Sequence, residues 1–354
     1  MSNLSLPHAK RLEVAGYHEL NSDRVMAELF LDAWPMIKAA LMDPGQIIPR
    51  IIEEVSNKSE RFKWLAWEST QVRAGYNFGT LDNLFLGVRC RLLPPRVFQV
   101  TDALNERLEQ TDIGADMPCS FFRLPFPFIY IEFGQKRQSL CRVHNPVSGE
   151  HVAEGCFVQE VASDGGGREV HLTAIGSPVG KTGLLDDATI SFRFAIDDEN
   201  DDLGEALTKA FEHHERNARA HGLVVQTEND KNSLRDVVAH AAKVLLYLNS
   251  VDARTERVAE WSELAAARDR AGPAKKAKFE RKLCRVYDRI VVGPQSFQEA
   301  PAGAGDGRHV QPHWRRGHLR RQRCGPGLVD LRIIWIRPVL IGGAAGLGKV
   351  YAVA

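Results

Sequence analysis

The chain has 354 residues, 44 % hydrophobic and 26 % charged, with a formal net charge of +1. This is ordinary globular usage at a length that accommodates two folding units, which excludes a disordered, fibrous or uniformly polycationic chain. With charge balanced overall, any contact with a polyanion has to come from a local patch.

The cysteines, Cys90, Cys119, Cys141, Cys156, Cys284 and Cys324, never stand in a C-x-x-C spacing, which argues against a zinc ribbon or a dithiol redox motif. The opening stretch MSNLSLPHAKRLEV lacks the apolar centre of a signal peptide. No run of about 18 apolar residues occurs, the length a membrane span needs. The expectation is a cytoplasmic protein with free thiols and no membrane partner.

In chain order, Asn21 and Ser22 cap a helical pattern of Val25, Leu29, Ala33, Ile37 and Leu41. Pro35 interrupts it, so a kink or two short helices is expected, ended by Asp43-Pro44-Gly45. Thr101 caps a second helix up to Gln110. Phe121 to Phe133 is rich in aromatic and β-branched residues and reads as a strand. Pro125 and Pro127 confine its pairing to the later half. Val152–Val161 and Val170–Ile175 flank Asp164-Gly165-Gly166-Gly167 as a hairpin. Phe192, Phe194 and Ile196 alternate with Ser191, Arg193 and Ala195 as a half-buried strand.

The acidic run from Asp197 to Asp202 reads as a solvated loop and the negative start of a helix. That helix carries Leu203, Leu207, Ala210, Phe211 and His214 on one face; a second carries Val237, Ala241, Val244, Leu245 and Leu248. Lys275, Lys276, Lys278, Arg281, Lys282 and Arg285 form a basic stretch, read as a flexible solvated segment or a polyanion contact. Pro301 to Gly307 is a loop, and Leu331 to Ile336 a closing strand. The fold class is α+β. Residues 1–117 are mainly helical and 118–198 form a central antiparallel sheet. Residues 199–300 are helical with the basic segment, and 301–354 hold a basic hairpin and strand packed on the β region.

Two segments imitate a phosphate-binding loop without completing one. Gly176 to Thr182 has three residues between its glycines instead of four, and Gly343 to Lys349 is followed by Val350 where a hydroxyl belongs. His213 and His214 are adjacent on a helix and diverge by about 100°, so a shared metal is not expected there. No cofactor or metal site is expected.

The segment of highest chemical content is Arg308 to Arg323, with six arginines, three histidines and no acid. Three readings of it stand open. His313 and His318 are an acid/base pair for metal-independent RNA cleavage, with Arg315 or Arg316 steadying an anionic phosphorane. Alternatively, the arginines clamp phosphates while Trp314 stacks on a base. Or the arginines pair with the acidic cluster near Asp197 and the tryptophans fill the core.

The string Pro312-His313-Trp314-Arg315-Arg316-Gly317-His318, then Gly325-x-Gly327, then Arg332, Trp335 and Pro338, resembles the C-terminal signature of the second type V-A anti-CRISPR family. Cys119–Glu132 and Lys243–Asp252 are similar to further family segments. Leu319 stands where the family commonly has an aromatic residue, which takes stacking at that position out of the expectation. The resemblance implies an inhibitor of the production of the type V-A CRISPR effector nuclease, or of another target, carried on a mobile element in a bacterial host. It implies recognition of the target's nascent N-terminal peptide, with loss of the encoding mRNA and the ribosome or RNA as further partners. The signature positions Pro312, His313, Arg315, Arg316, Gly317, His318, Gly325, Gly327, Arg332 and Trp335 are the candidate working surface; no peptide-binding residue carries over. The sheet over Cys119–Ile196 is the expected peptide platform.

Overall fold

The computed structural model describes residues 6–12, 23–63, 80–134, 137–138, 142–145, 149–163, 165–179, 187–220, 228–297 and 313–341. Asn21, Ser22, Asp164, Gly180–Thr182, the loop from Pro301 to Gly307, Pro312 and the tail 342–354 lie outside them.

The strands are β1 (Arg96–Val100), β2 (Thr111–Ile113), β3 (Phe128–Glu132), β4 (Arg142–Asn145), β5 (Gly149–Ala162), β6 (Arg168–Pro178), β7 (Ala188–Ile196), β8 (Thr255–Val258), β9 (Arg289–Val292), β10 (His313–Arg315), β11 (Gly317–Cys324), β12 (Asp330–Ile336) and β13 (Val339–Ile341). The main sheet runs β7–β6–β5–β3–β1–β9–β8, with β4 beside β5. From β3 to β7 every pairing is antiparallel, as expected for 118–198. Beyond β3 the sheet becomes mixed: β1 lies parallel to both β3 and β9. These strands come from stretches that read as helical, because strands of five and four residues flanked by helices carry too little period-2 pattern.

The helices are α1 (His8–Arg11), α2 (Asp23–Phe30), α3 (Trp34–Met42), α4 (Ile48–Lys58), α5 (Thr80–Leu92), α6 (Asp102–Glu109), α7 (Leu203–Ala220), α8 (Glu228–Leu248), α9 (Glu260–Asp269) and α10 (Pro273–Leu283). Of the two outcomes expected at Pro35, the chain forms two short helices, α2 and α3, with Pro35 in the first turn of α3, where its missing N–H costs nothing. The break between α2 and α3 is a 3-10 turn opened by Leu31 at φ +47. Thr101 caps α6 as expected, its hydroxyl accepting from the Leu104 amide at 3.2 Å. The basic stretch from Lys275 is a regular exposed helix, α10, started by Pro273, and not a flexible segment.

Alternation along the strands divides the core. Ile129, Ile131 and Phe133 face a cluster with Leu104 of α6, Leu203 of α7 and Val244 of α8. Phe128 and Tyr130 face the opposite side, packed with Leu6, Leu12, Leu86 and Cys90 from the N-terminal helices. The sheet is thus covered on both faces. The segment Gly176–Pro178 belongs to β6, a strand where a phosphate loop would need a turn. The described cysteines, Cys90, Cys119, Cys156, Cys284 and Cys324, are free thiols. No described helix is long and apolar enough to cross a membrane.

Arg89 of α5 lies fully inside the N-terminal layer. Its Nη2 donates to the Asp43 carbonyl at 2.9 Å and its guanidinium sits 5.5 Å from the Phe128 ring centre. Nε and Nη1 have no partner among the described residues, and burial pulls its pKa down to about 10. A buried cation with two unmet donors costs more in lost hydration than its contacts return. Arg89→Met is therefore expected to keep or raise stability, by about 1–4 kcal/mol, in urea unfolding; a clear loss would show that the layer needs the charge.

Candidate functional site: a basic C-terminal hairpin

The signature segment folds as a hairpin. β11 pairs antiparallel with β12 from His318↔Ile336 to Cys324↔Asp330, and parallel with β2 on its other side. The turn uses Gly325 at φ +74 and Gly327 at φ +69, conformations that glycine adopts without the cost a side chain would add. Gly317 is held by crowding: a Cβ there would come within 2.6 Å of the Ile336 carbonyl and of Pro338. Its amide donates to Gln110 at 2.8 Å, joining β11 to the end of α6. β10 pairs separately with β13.

One face of the hairpin is core. Leu319 opposes Trp335, and Leu319, Ile333 and Trp335 are all buried in the main cluster. The Trp335 indole N–H donates to Thr111 Oγ1 at 3.1 Å, and its backbone N–H to Asp252 Oδ2 at 3.1 Å. Tyr247 meets the ring edge-on at 5.4 Å and Phe297 at 5.7 Å. Leu319 is an interior packing residue with no exposure at all.

The other face displays cations. His318, Arg320 and Gln322 of β11 share it with Arg332, Ile334 and Ile336 of β12, by alternation from the buried pair. Arg315, Arg320 and Arg332 are exposed, with no ion-pair partner among the described residues. Arg316 contacts Asp112 at 2.8 Å and Arg321 contacts Asp116 at 2.9 Å, but each of these four side chains is 42–59 % exposed. Exposed pairs of this kind contribute roughly 0–1 kcal/mol. This corrects the reading in which the arginines neutralise the cluster near Asp197. Glu199 of that cluster is bound instead by Arg168 and Arg123, and Asp202 caps α7 through the Glu205 amide at 2.9 Å.

His318 is half-buried, and its pKa is lowered by burial and by the neighbouring Arg320 and Arg315. Both causes favour the neutral imidazole over the imidazolium. His313 and Trp314 lie in β10, in a different ladder from His318, and their side chains fall outside the described residues, as does Pro312 altogether. Asp112 and Asp116 were not singled out from the sequence; Asp112 lies within and Asp116 just beyond the three-residue β2, too short for any pattern to announce it.

Residues 98–343 match the family described as AcrVA2-like, the anti-CRISPR type V subtype A2 family. The chain belongs to this family. The matched span opens inside β1 and closes just beyond β13, taking in the basic hairpin and leaving the helices before β1 outside. Neither a curated protein nor a solved structure matches the chain. Membership supports an anti-CRISPR function directed at type V-A systems. Among the described residues no group of His, Cys, Asp and Glu is placed to hold a metal ion.

The signature therefore divides by mechanical duty. Trp335→Ala is expected to cost about 3–5 kcal/mol in denaturant unfolding, as for other buried aromatic truncations. Arg320→Ala and Arg332→Ala should stay within about 0.5 kcal/mol of the wild type, as exposed substitutions do. A large loss in either arginine variant would return those side chains to the scaffold.

Proposed function

We propose that this anti-CRISPR protein lowers production of a target by recognising its N-terminal peptide at the ribosome. Loss of the encoding mRNA follows, and the basic hairpin is the surface that meets RNA phosphates. The target is the type V-A effector nuclease or another protein of the same host, and the place of action is the host cytoplasm. The observation that carries this reading is the unequal use of the family signature. Its glycines and Trp335 are spent on the fold, while its Arg315 and Arg332, with Arg320 outside the signature beside them, are held outward without carboxylate partners among the described residues. Arginine forks on a twisted two-stranded ribbon suit phosphate contacts. The only acid among residues 313–341 is Asp330, at the turn end of the ladder.

The peptide platform expected over Cys119–Ile196 has a matching feature. β7 is an edge of the main sheet, nine residues long, with no strand on its outer side among the described residues. An extended peptide adds to such an edge through main-chain hydrogen bonds and gains selectivity from alternate side chains.

Recovery of translating ribosomes on the tagged protein, followed by sequencing of the protected message, tests both halves. Wild-type protein should enrich messages at early codons of one target, with recovery weakening steeply as salt is raised because each phosphate contact releases counterions. Replacing Arg315, Arg316, Arg320 and Arg332 by alanine should abolish ribosome recovery and mRNA loss with the melting temperature unchanged. Ala at both His313 and His318 should leave mRNA loss intact, since this reading gives neither imidazole a bond to break. Retention of mRNA loss by the arginine variant would overturn the role of the hairpin, and its abolition by the histidine variant would favour a ribonuclease.

A further inference from the structure

The parallel strands β3, β1 and β9 end together at one edge of the sheet, and a cleft of about 420 Å³ opens there. This is the size of a small-molecule site, at the edge where sheets with parallel strands place their ligands. The cleft is distant in sequence from the signature segment. Its floor comes from the strand ends, and α1 with Glu154 of β5 forms one wall.

The polar groups in this cleft are unevenly satisfied. Arg11 pairs with Glu154 and lies 3.0 Å from His8 Nδ1, so the guanidinium of α1 is engaged on that wall. Glu132 accepts from the Tyr287 hydroxyl at 3.1 Å, which orients its carboxylate. Asp102, the first residue of α6, has an Oδ1 with no hydrogen-bond partner among the described residues. Tyr130 lines the cleft and is wholly buried, yet its hydroxyl also has no partner among the described residues. A buried phenol left unpaired is costly, so its retention points to something in the cleft that completes it. Leu6, Val100 and Phe133 supply apolar surface alongside.

We propose that this cleft binds a protonated primary amine, its ammonium held by Glu132, Asp102 and the Tyr130 hydroxyl oxygen and its alkyl part against the apolar wall. An ammonium offers three donors and no acceptor, which matches two carboxylates and one phenol oxygen in need of donors. A metal ion fits less well, because no described trio of ligating side chains converges. The amine comes either from a free alkylamine or from a polypeptide's amino end. The site is independent of how the hairpin acts, and α1 lies outside the span matched to the family.

Isothermal titration of the full chain decides the matter, with n-butylammonium against n-butanol, and tetra-alanine amide against its N-acetylated form. One of the two amines should bind at least tenfold more tightly than its neutral counterpart, and which one does so names the source. Glu132→Gln and Tyr130→Phe should each weaken that binding about tenfold without lowering the melting temperature, since an unpartnered hydroxyl does not hold the fold. Glu132 is pushed up to about 7 by burial, facing Tyr287, Arg289, Glu154 and Arg11. Its carboxylate must be ionised to hold a cation, so affinity for n-butylammonium should rise about tenfold from pH 6 to pH 8, and that for the peptide less, since its α-amino group loses its proton near pH 8. Equal binding of amine and neutral probe, or full affinity in both variants, would overturn the proposal. So would a lower melting temperature for Tyr130→Phe, which would show the hydroxyl to be part of the scaffold.

Discussion

Trp335 joins the hairpin to the rest of the molecule, and what the hairpin displays follows from how that ring is held. Thr111, Tyr247 and Phe297 reach it from β2, from the end of α8 and from the segment after β9, while Asp252 takes its backbone N–H. Thr111 in turn donates to the Arg107 carbonyl at 2.7 Å, so the indole is hydrogen-bonded into the end of α6. Once the Leu319–Trp335 pair is inside, the two-residue period of the strands leaves His318, Arg320 and Arg332 no choice but the outer face. A shift of one residue in register would bury the guanidinium groups and expose the indole. The cationic surface is a consequence of apolar packing beneath it.

A net charge of +1 conceals strong segregation. Many acids are already engaged: Glu199 and Glu160 with Arg168, Asp236 with Arg137, Glu154 with Arg11, and Glu260 with Arg289. Arg168 and Arg137 are almost fully buried, so those pairs belong to the core and cannot be exchanged for surface arginines without leaving a buried charge unpaired. The hairpin arginines are left with Asp112 and Asp116, both well exposed and weak partners. Local positive potential therefore survives in a chain whose total charge gives no sign of it.

Much of the architecture was legible where a local rule sufficed. The threonine cap of α6, the glycine turn between β5 and β6, the alternation along β7 and the prolines that delay β3 each act within a few residues. The resemblance rested on residues with local demands of their own: Gly317, Gly325, Gly327 and Trp335 each meet a tight steric or packing requirement. What escaped were features assembled from distant pieces. β1 and β9 are short and find their pattern only beside each other. The cleft draws on residues from Leu6 to Gln295, with no spacing that any motif could capture. The helical state of α10 also escaped, because a run of lysines reads as charge before it reads as helix; Pro273 at its first turn was the overlooked signal.

α6 gives the two surfaces a fixed relation. Its first residue, Asp102, lines the cleft, while at its far end Gln110 accepts the Gly317 amide and Arg107 reaches the Pro338 carbonyl at 3.4 Å. Between them Leu104, Asn105 and Leu108 are buried, and Asn105 meets His240 of α8 at 2.8 Å. Burial drives the pKa of His240 well below its ordinary value, keeping the imidazole neutral and that contact free of charge at physiological pH. A helix of eight residues is about 12 Å long and is here pinned along its whole length. α6 accordingly ties the cleft to the hairpin: were a ligand held at the first and a polyanion at the second, as proposed, the contacts of this one helix would set their spacing.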